Sequence, residues 1–461
     1  MKLPPVIAVL FAAGLAVAGL RWLFAVSVPV QAIRQSTQEG SIAEQKAEQL
    51  ASKTDLTGVF TASREMETFI ASDTPPWPSF RGPNRDNIAP DFRWNNPRLL
   101  WRIEVGDGHA APVIAKGRIA FLDYDEKKEG DVLRVLSLQT GQELWRRFYK
   151  VKTKRNHGIS RTVCATDGDA LVSLGPQCHV LCTSLTNGSF RWGINLPEKY
   201  GSKVPLWYAG QCPLIDGGAV VLAPASEKVL LCAIDLRTGT PLFETPGVPG
   251  LGMSHASVML LGDIYIYAGI GGIAGVSKEG KLLWVNKDFT PNVVAPSPCI
   301  LSENRFFITA GYGVGGAMFE ADEKGCRLLF KTDRRTLASE QQTPIHRDGL
   351  LYSVLPGDAG GLRQQFACTT SDGKQIWASG TGDRFGLGPF LAIGQNRFIL
   401  QDDVGTLTVA QADKAGYKRL ARFPLMNGEG RDAWGPMSVS GNRLIVRDST
   451  QIFCLQMEDK Q

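Results

Sequence analysis

Eight polar or aromatic side chains stand two to four residues ahead of a recurrent position that is usually proline: His109, Arg161, Gln211, His255, Gln341, Gln342, Asp432 and Trp434. If a repeat brings those positions together, they form a pocket with a guanidinium, two imidazoles, amides, a carboxylate and an indole. Trp434 offers a stacking face and Asp432 a base or metal ligand. These residues are the candidate cofactor-binding set. Their chemistry is that of recognition, because the loops around a wet channel are polar in scaffolds too and no nucleophile accompanies them.

Other chemistries lack their residues. The five histidines, His109, His157, His179, His255 and His346, never take a zinc-type spacing. Cys178, His179 and Cys182 come nearest, but on a strand the two cysteines share one face and the histidine points to the other. Gly269 to Gly275 lies between strands and opens no helix, which a phosphate loop requires. There is no Gly-x-Ser-x-Gly elbow. Asp402-Asp403 and the run Asp123 to Glu126 are expected on exposed turns.

The elements that must position the candidate set follow from a register of Pro112, Val163, Pro213, Ser257, Pro298, Pro344, Pro389 and Pro436, spaced 41 to 51 residues apart. An apolar strand follows each, and glycine stands five residues on in every unit but that of Pro298, where Glu303 replaces it. Second strands are expected at Arg118 to Tyr124, Ala219 to Ala223, Ile264 to Ala268, Arg305 to Ala310 and Arg397 to Leu400. A second marker, Gly-x-x-x-Trp/Phe, recurs at Gly141 and Trp145, Gly188 and Trp192, Gly239 and Phe243, Gly280 and Trp284, and Gly373 and Trp377. Repeats of this length without a helical period predict an all-β fold, an eight-bladed β-propeller of four-stranded antiparallel blades. The last unit has three strands, so Pro97 to Val105, carrying Trp101, is expected to supply the fourth and close the ring. In that closed ring Trp101, Trp145, Trp192, Phe243, Trp284 and Trp377 brace each blade against the next.

The aromatic motif resembles the tryptophan-docking repeat of the quinoprotein propellers, Ala-x-Asp-x-x-x-Gly-x-x-x-Trp. Ala233, Asp235, Gly239 and Phe243 match it almost in full, whereas Ser137 and Ser184 stand where that family has Asp. Together with Trp77 to Asp86 (WPSFRGPNRD), residues 75–457 resemble the bacterial PQQ-binding-like β-propeller repeat proteins. The resemblance implies the fold. For activity it implies either a PQQ-dependent dehydrogenase, with PQQ and Ca²⁺, or a cofactor-free propeller like the lipoprotein of the outer-membrane assembly machinery. The adjacent-cysteine clamp that the dehydrogenases place on PQQ has no counterpart here. Trp77 and Phe80 are expected to pack on the propeller.

Composition bounds the rest. A hydrophobic share of 43% can bury a large core, and a formal charge of +5 without a basic block gives no nucleic-acid footprint. Residues 1–34, apolar from Leu3 to Leu20 and from Trp22 to Val30, read as a signal-anchor or transmembrane helix that exports the remainder of the chain. Residues 35–74 read as a polar helical stalk, with a capping box at Ser41 and Glu44 and Met66, Phe69 and Ile70 on one helical face. Residues 75–461 are the propeller. Nine cysteines in an exported chain would ordinarily pair, but Cys182, Cys232, Cys368 and Cys454 fall just before the motif turns, as buried small hydrophobes do.

These readings predict a single-pass inner-membrane protein with its propeller on the periplasmic side, acting as a scaffold for other envelope proteins without a cofactor. The alternative is a quinoprotein alcohol or sugar dehydrogenase.

Overall fold

Each unit of apolar β-branched runs punctuated by glycine turns folds into one sheet. The computed structural model describes residues 54–426 and 428–458, and over them eight sheets form, each built on four antiparallel strands. The protein is an eight-bladed β-propeller. Blade 1 consists of Val113–Ala115, Arg118–Asp125, Gly130–Ser137 and Glu143–Lys150. Blades 2 to 7 occupy residues 165–195, 214–246, 259–286, 299–332, 345–378 and 390–424. Blade 8 contains Ser438–Ser440, Arg443–Arg447 and Gln451–Glu458, and Arg93–Glu104 lies antiparallel along the last of these, with Trp101 opposite Cys454.

The brace between blades is visible in atoms. Trp101, Trp145, Trp192, Trp284 and Trp377 donate their indole N–H to Leu138, Leu185, Leu236, Asp322 and Asp413 of the following blade, at 3.1, 3.1, 3.0, 2.8 and 2.7 Å. In the first three the acceptor is the carbonyl three residues before the turn glycine. At Gly239, φ is +75°, and a Cβ there would stand 2.5 Å from the Trp192 ring. The glycine is thus needed twice, for a left-handed turn and for a flat ring lying on it. The cysteines acquire a reason as well: Cys182, Cys368 and Cys454 sit directly across the strand pair from Trp192, Trp377 and Trp101, where a small side chain leaves room for the indole. All nine thiols are unpaired, eight of them buried.

At blades 5 and 7 the indole bonds are made but, among the described residues, no ring lies on Gly325 or Gly416, and two other junctions depart further from the sequence pattern. Between blades 5 and 6 the ring is Phe330, five residues after Gly325, and it covers Gly373. Between blades 7 and 8 no such contact forms among the described residues. Blade 8 draws its third and fourth strands from opposite ends of the chain, so the hairpin turn that would receive a ring does not exist, and Leu420, at the motif position of blade 7, is 45% exposed. Gln401 of blade 7 bridges this junction instead, donating to Ala433 O and to Arg447 O of blade 8 at 3.1 and 2.8 Å, while buried Arg447 ties blade 8 to blade 1 by donating to Ala110 O and Gly106 O and also bonds Asp448 O and Ser449 O.

The segment Pro75 to Ala89 is a hub across the channel. Trp77 exchanges two 2.9 Å backbone bonds with Ile114 of blade 1, and Thr166 N of blade 2 donates to Pro78 O at 2.9 Å. Arg85 reaches Ile215 O of blade 3, and Arg81 reaches Thr343 O and Pro344 O at blade 6 at 2.8 and 2.9 Å. Ile88–Ala89 adds a parallel strand to the inner edge of blade 7, and Ser440 of blade 8 donates to Pro75 O at 2.7 Å. Six of the eight blades are therefore tied to one short stretch. Arg81 and Arg85 bond to backbone carbonyls here, a structural use.

The expected helical stalk over 35–74 needs correction where it is described. Val59–Ala62 is a strand on the outer edge of blade 1, paired with residues 145–148. Only Glu65–Thr68 is helical. Met66 and Phe69 pack on the blade 1 core, but Ile70 is 87% exposed, so the three do not share a buried face. The expected transmembrane helix and the Ser41–Glu44 box lie outside the described residues. Among the described residues, no helix is long and apolar enough to cross a membrane.

One buried carboxylate escapes any sequence pattern. Asp131 is fully buried, accepts a 2.7 Å bond from Tyr149 Oη, and is pushed up to about 7 by desolvation.

Trp145, fully buried, should cost about 3 to 5 kcal/mol when replaced by alanine, read as a lowered urea midpoint. Because the folded Asp131 titrates above its unfolded value, its charge penalises the native state progressively as pH rises from about 4 to about 7. Asp131→Asn should therefore gain melting temperature over the parent as pH is raised through that window; a constant difference would contradict the burial argument.

Candidate functional site

Strand direction alternates within a blade, so the connectors between blades and the middle hairpin turns share one face, called upper here, while the first and third turns share the lower. On the upper face the connectors enclose a funnel of ≈ 300 Å³, with Phe80 of the hub segment in its lining. The inner strands around it are cross-linked by side chains at the register: Cys212 N donates to Ser257 Oγ, Ser257 N to Ser297 Oγ, and Ser297 N to Thr343 Oγ1, each at 2.9 Å.

The funnel brings together His109, Arg161, His255, Gln341, Gln342 and Trp434 of the expected set. Two members are not there. Gln211 is buried at the strand, its amide bonded both ways to the Ala223 backbone. Asp432 has left-handed backbone, φ +49°, and the chain turns there so that Trp434 reaches the funnel and Asp432 is not in its lining. Asp432 is therefore not placed at the funnel as the base or metal ligand expected of it. The lining also includes His157, Trp207, Tyr312 and Glu340, from long connectors and one hairpin turn; the length of the connectors over 151–164 and 196–213 was the available signal.

Asp403 is a second correction. Its carboxylate is not on an exposed turn: it accepts from Trp434 Nε1 at 2.8 Å and from Leu387 N at 2.9 Å, and so positions the indole. Asp123 likewise is buried, accepting from Gly106 N and Arg134.

The funnel wall is aromatic. Trp207 and Tyr312 stack at 6.2 Å with 16° between planes, Trp207 lies 5.9 Å from the His255 ring, and His109 lies 5.2 Å from Trp434. Desolvation, helped by nearby arginines, holds His109 down to about 3 and His255 down to about 4, so both imidazoles are neutral at pH 7. Arg161 lines the same space. Its Nη2 bonds Asn156 O and Gly158 O at 2.9 and 3.3 Å, its Nε has no partner, and burial lowers it to about 10, which leaves it cationic.

The family model described as outer membrane protein assembly factor BamB matches residues 128–379. The chain belongs to this family of PQQ-like repeat propellers. Among solved structures, BamB from Moraxella catarrhalis is similar with TM-score 0.54 at 12% identity, over 78% of this chain and 99% of that one. A europium-containing methanol dehydrogenase is similar with TM-score 0.57 at 10% identity, over 85% and 99%. The quinohemoprotein alcohol dehydrogenase from Comamonas testosteroni gives TM-score 0.57 at 13% identity, over 92% and 85%. These likenesses establish the propeller fold. No curated protein matches the chain by sequence.

The BamB-family fold is shared with cofactor-bearing propellers, so the funnel's donors decide whether PQQ with Ca²⁺ fits. Calcium takes six to eight oxygen ligands, typically several carboxylates. Among the described residues, no three His, Cys, Asp or Glu side chains converge, and Glu340 is the one carboxylate in the funnel lining. Asp403 is committed to Trp434 and Leu387. The aromatic walls would accept a planar ring, but the donor set does not supply the calcium cage.

Because folded His255 titrates below an unfolded histidine, the unfolded chain takes up its proton first, and stability is lost as pH falls from about 6.5 to about 4. His255→Gln should flatten that acid loss in melting temperature relative to the parent; an unchanged slope would show the imidazole to be solvated.

Proposed function

We propose that the chain is a membrane-tethered scaffold of the cell envelope: residues 1–34 anchor it in the inner membrane, the propeller stands on the periplasmic side, and its upper face docks another envelope protein. Membership of the BamB family supports a partner-binding role. The observation that carries the reading is where exposed apolar side chains lie. Ile270, Tyr312, Val314 and Val404 all sit in middle hairpin turns, on the upper face, while Val59, Phe60, Leu99, Leu242 and Leu420 are on outer-edge strands and Ile70 stands alone in the segment after Glu65–Thr68. Apolar side chains gathered on one face of a rigid ring mark an interaction site. The pairing of Arg93–Glu104 with Gln451–Glu458 serves as the closure that keeps that face rigid.

A quinoprotein alcohol or sugar dehydrogenase is the second reading, favoured by the aromatic funnel and opposed by its donor set. Affinity purification of the full chain from detergent-solubilised envelopes should recover a partner, and a double variant, Ile270→Lys with Val314→Lys, should lose it at unchanged melting temperature. Recovery only as a free monomer, with a thermal shift and dye reduction on adding PQQ and Ca²⁺, would reverse the two readings, since a ligand bound only by the native state must raise its stability.

A further inference from the structure

We propose that the funnel binds a small planar organic monoanion without a metal, its carboxylate held by Arg161 and its ring against the wall of Trp207 and Tyr312. Such a site is distinct from the docking surface proposed on the middle hairpin turns, although Tyr312 is common to both.

Among the described residues Arg85 Nε, Arg118 Nε and Arg347 Nη1 are, like Arg161 Nε, buried without a partner, but none of those other arginines lines the funnel, so Arg161 is the one whose unpartnered nitrogen belongs to a funnel-lining side chain. Arg81 and Arg447 each make four bonds to backbone carbonyls, and neither borders the funnel. Arg161 uses one nitrogen for two carbonyls, leaves Nε without a partner, and has no carboxylate beside it among the described residues. A desolvated charge left this way destabilises the empty site, and an arriving anion would offset that cost.

The surroundings narrow the class. With His109 and His255 neutral, Arg161 is, among the described residues, the one arginine or lysine lining the funnel, and Glu340 lies in the same lining. A polyanion would meet that carboxylate, whereas a single carboxylate on Arg161 need not. The nearly parallel Trp207 and Tyr312 rings offer a flat face, and ≈ 300 Å³ is the lower end of small-molecule pockets. Planarity, one negative charge and small size together describe an aromatic monocarboxylate.

The test titrates the full chain with benzoate, with its neutral isostere benzamide, and with PQQ with and without Ca²⁺, following tryptophan fluorescence and melting temperature. Benzoate should raise the melting temperature and bind at least about tenfold tighter than benzamide. Arg161→Gln should weaken benzoate at least about tenfold, yet melt no lower than the parent, because it removes an uncompensated buried charge. A merely structural arginine would instead lower the melting temperature. Should Arg161→Gln fail to fold, which itself contradicts the proposal, Trp207→Leu tests the wall independently and should weaken benzoate severalfold. Equal binding of benzoate and benzamide, undiminished benzoate binding by Arg161→Gln, absence of any benzoate response, or PQQ binding that requires Ca²⁺ would each overturn it.

Discussion

An aromatic ring lying flat on a glycine of the next blade, with its indole N–H on a carbonyl just ahead of that turn, is the contact on which this structure depends. It joins two elements that share no strand pairing. A sheet of four strands has apolar faces on both sides and cannot bury them alone, so its stability comes from its neighbours. The contact needs an absent Cβ, a left-handed turn and, at most of the tryptophans, a small residue across the strand pair, although Trp145 faces Val135. Those three requirements together explain the turn glycines such as Gly239 and the buried cysteines opposite the tryptophans.

Where the chain cannot supply that contact, it substitutes another. Blade 8 is assembled from both ends of the propeller, which removes the turn that would receive a ring from blade 7. There Gln401 of blade 7 donates to Arg447 O of blade 8, and Arg447 in turn donates to Ala110 O ahead of blade 1. The hub from Pro75 to Ala89 adds a second means of fixing blade positions, through the inner strands. With the hub and the glycine turns on the lower side, the funnel and the exposed apolar turns are left to the upper side.

Most of the architecture was legible because it repeats. The proline register and the glycine-aromatic spacing are local patterns, each stated many times, and blades at 41 to 51 residue intervals follow from them. Phe330 was hidden because its blade places the ring five residues after Gly325 instead of four, and a Cβ at position 325 would meet no ring from the blade before. The site was legible only in part. Connector position placed His109, Arg161, His255, Gln341, Gln342 and Trp434 at the funnel, but connector position does not say which way a side chain turns. Gln211 bonds its own blade, Asp432 turns away at a left-handed residue, and Asp403, which reads as a turn residue, holds Trp434. Trp207 and Tyr312 come from an irregular connector and a hairpin tip, where no period exists to read. The hub segment was visible as a composition, and its role required the six blades it touches.

The repeats serve architecture, and both the proposed docking surface and the proposed binding site lie on the upper face. Site-specific photo-crosslinking in intact envelopes addresses that division directly, with a photoreactive residue at Val404 on an upper turn or at Arg237 on a lower turn. Adducts with another envelope protein from position 404 and none from position 237 are the predicted result. Adducts from position 237 alone would place the docking surface on the lower face and contradict the division.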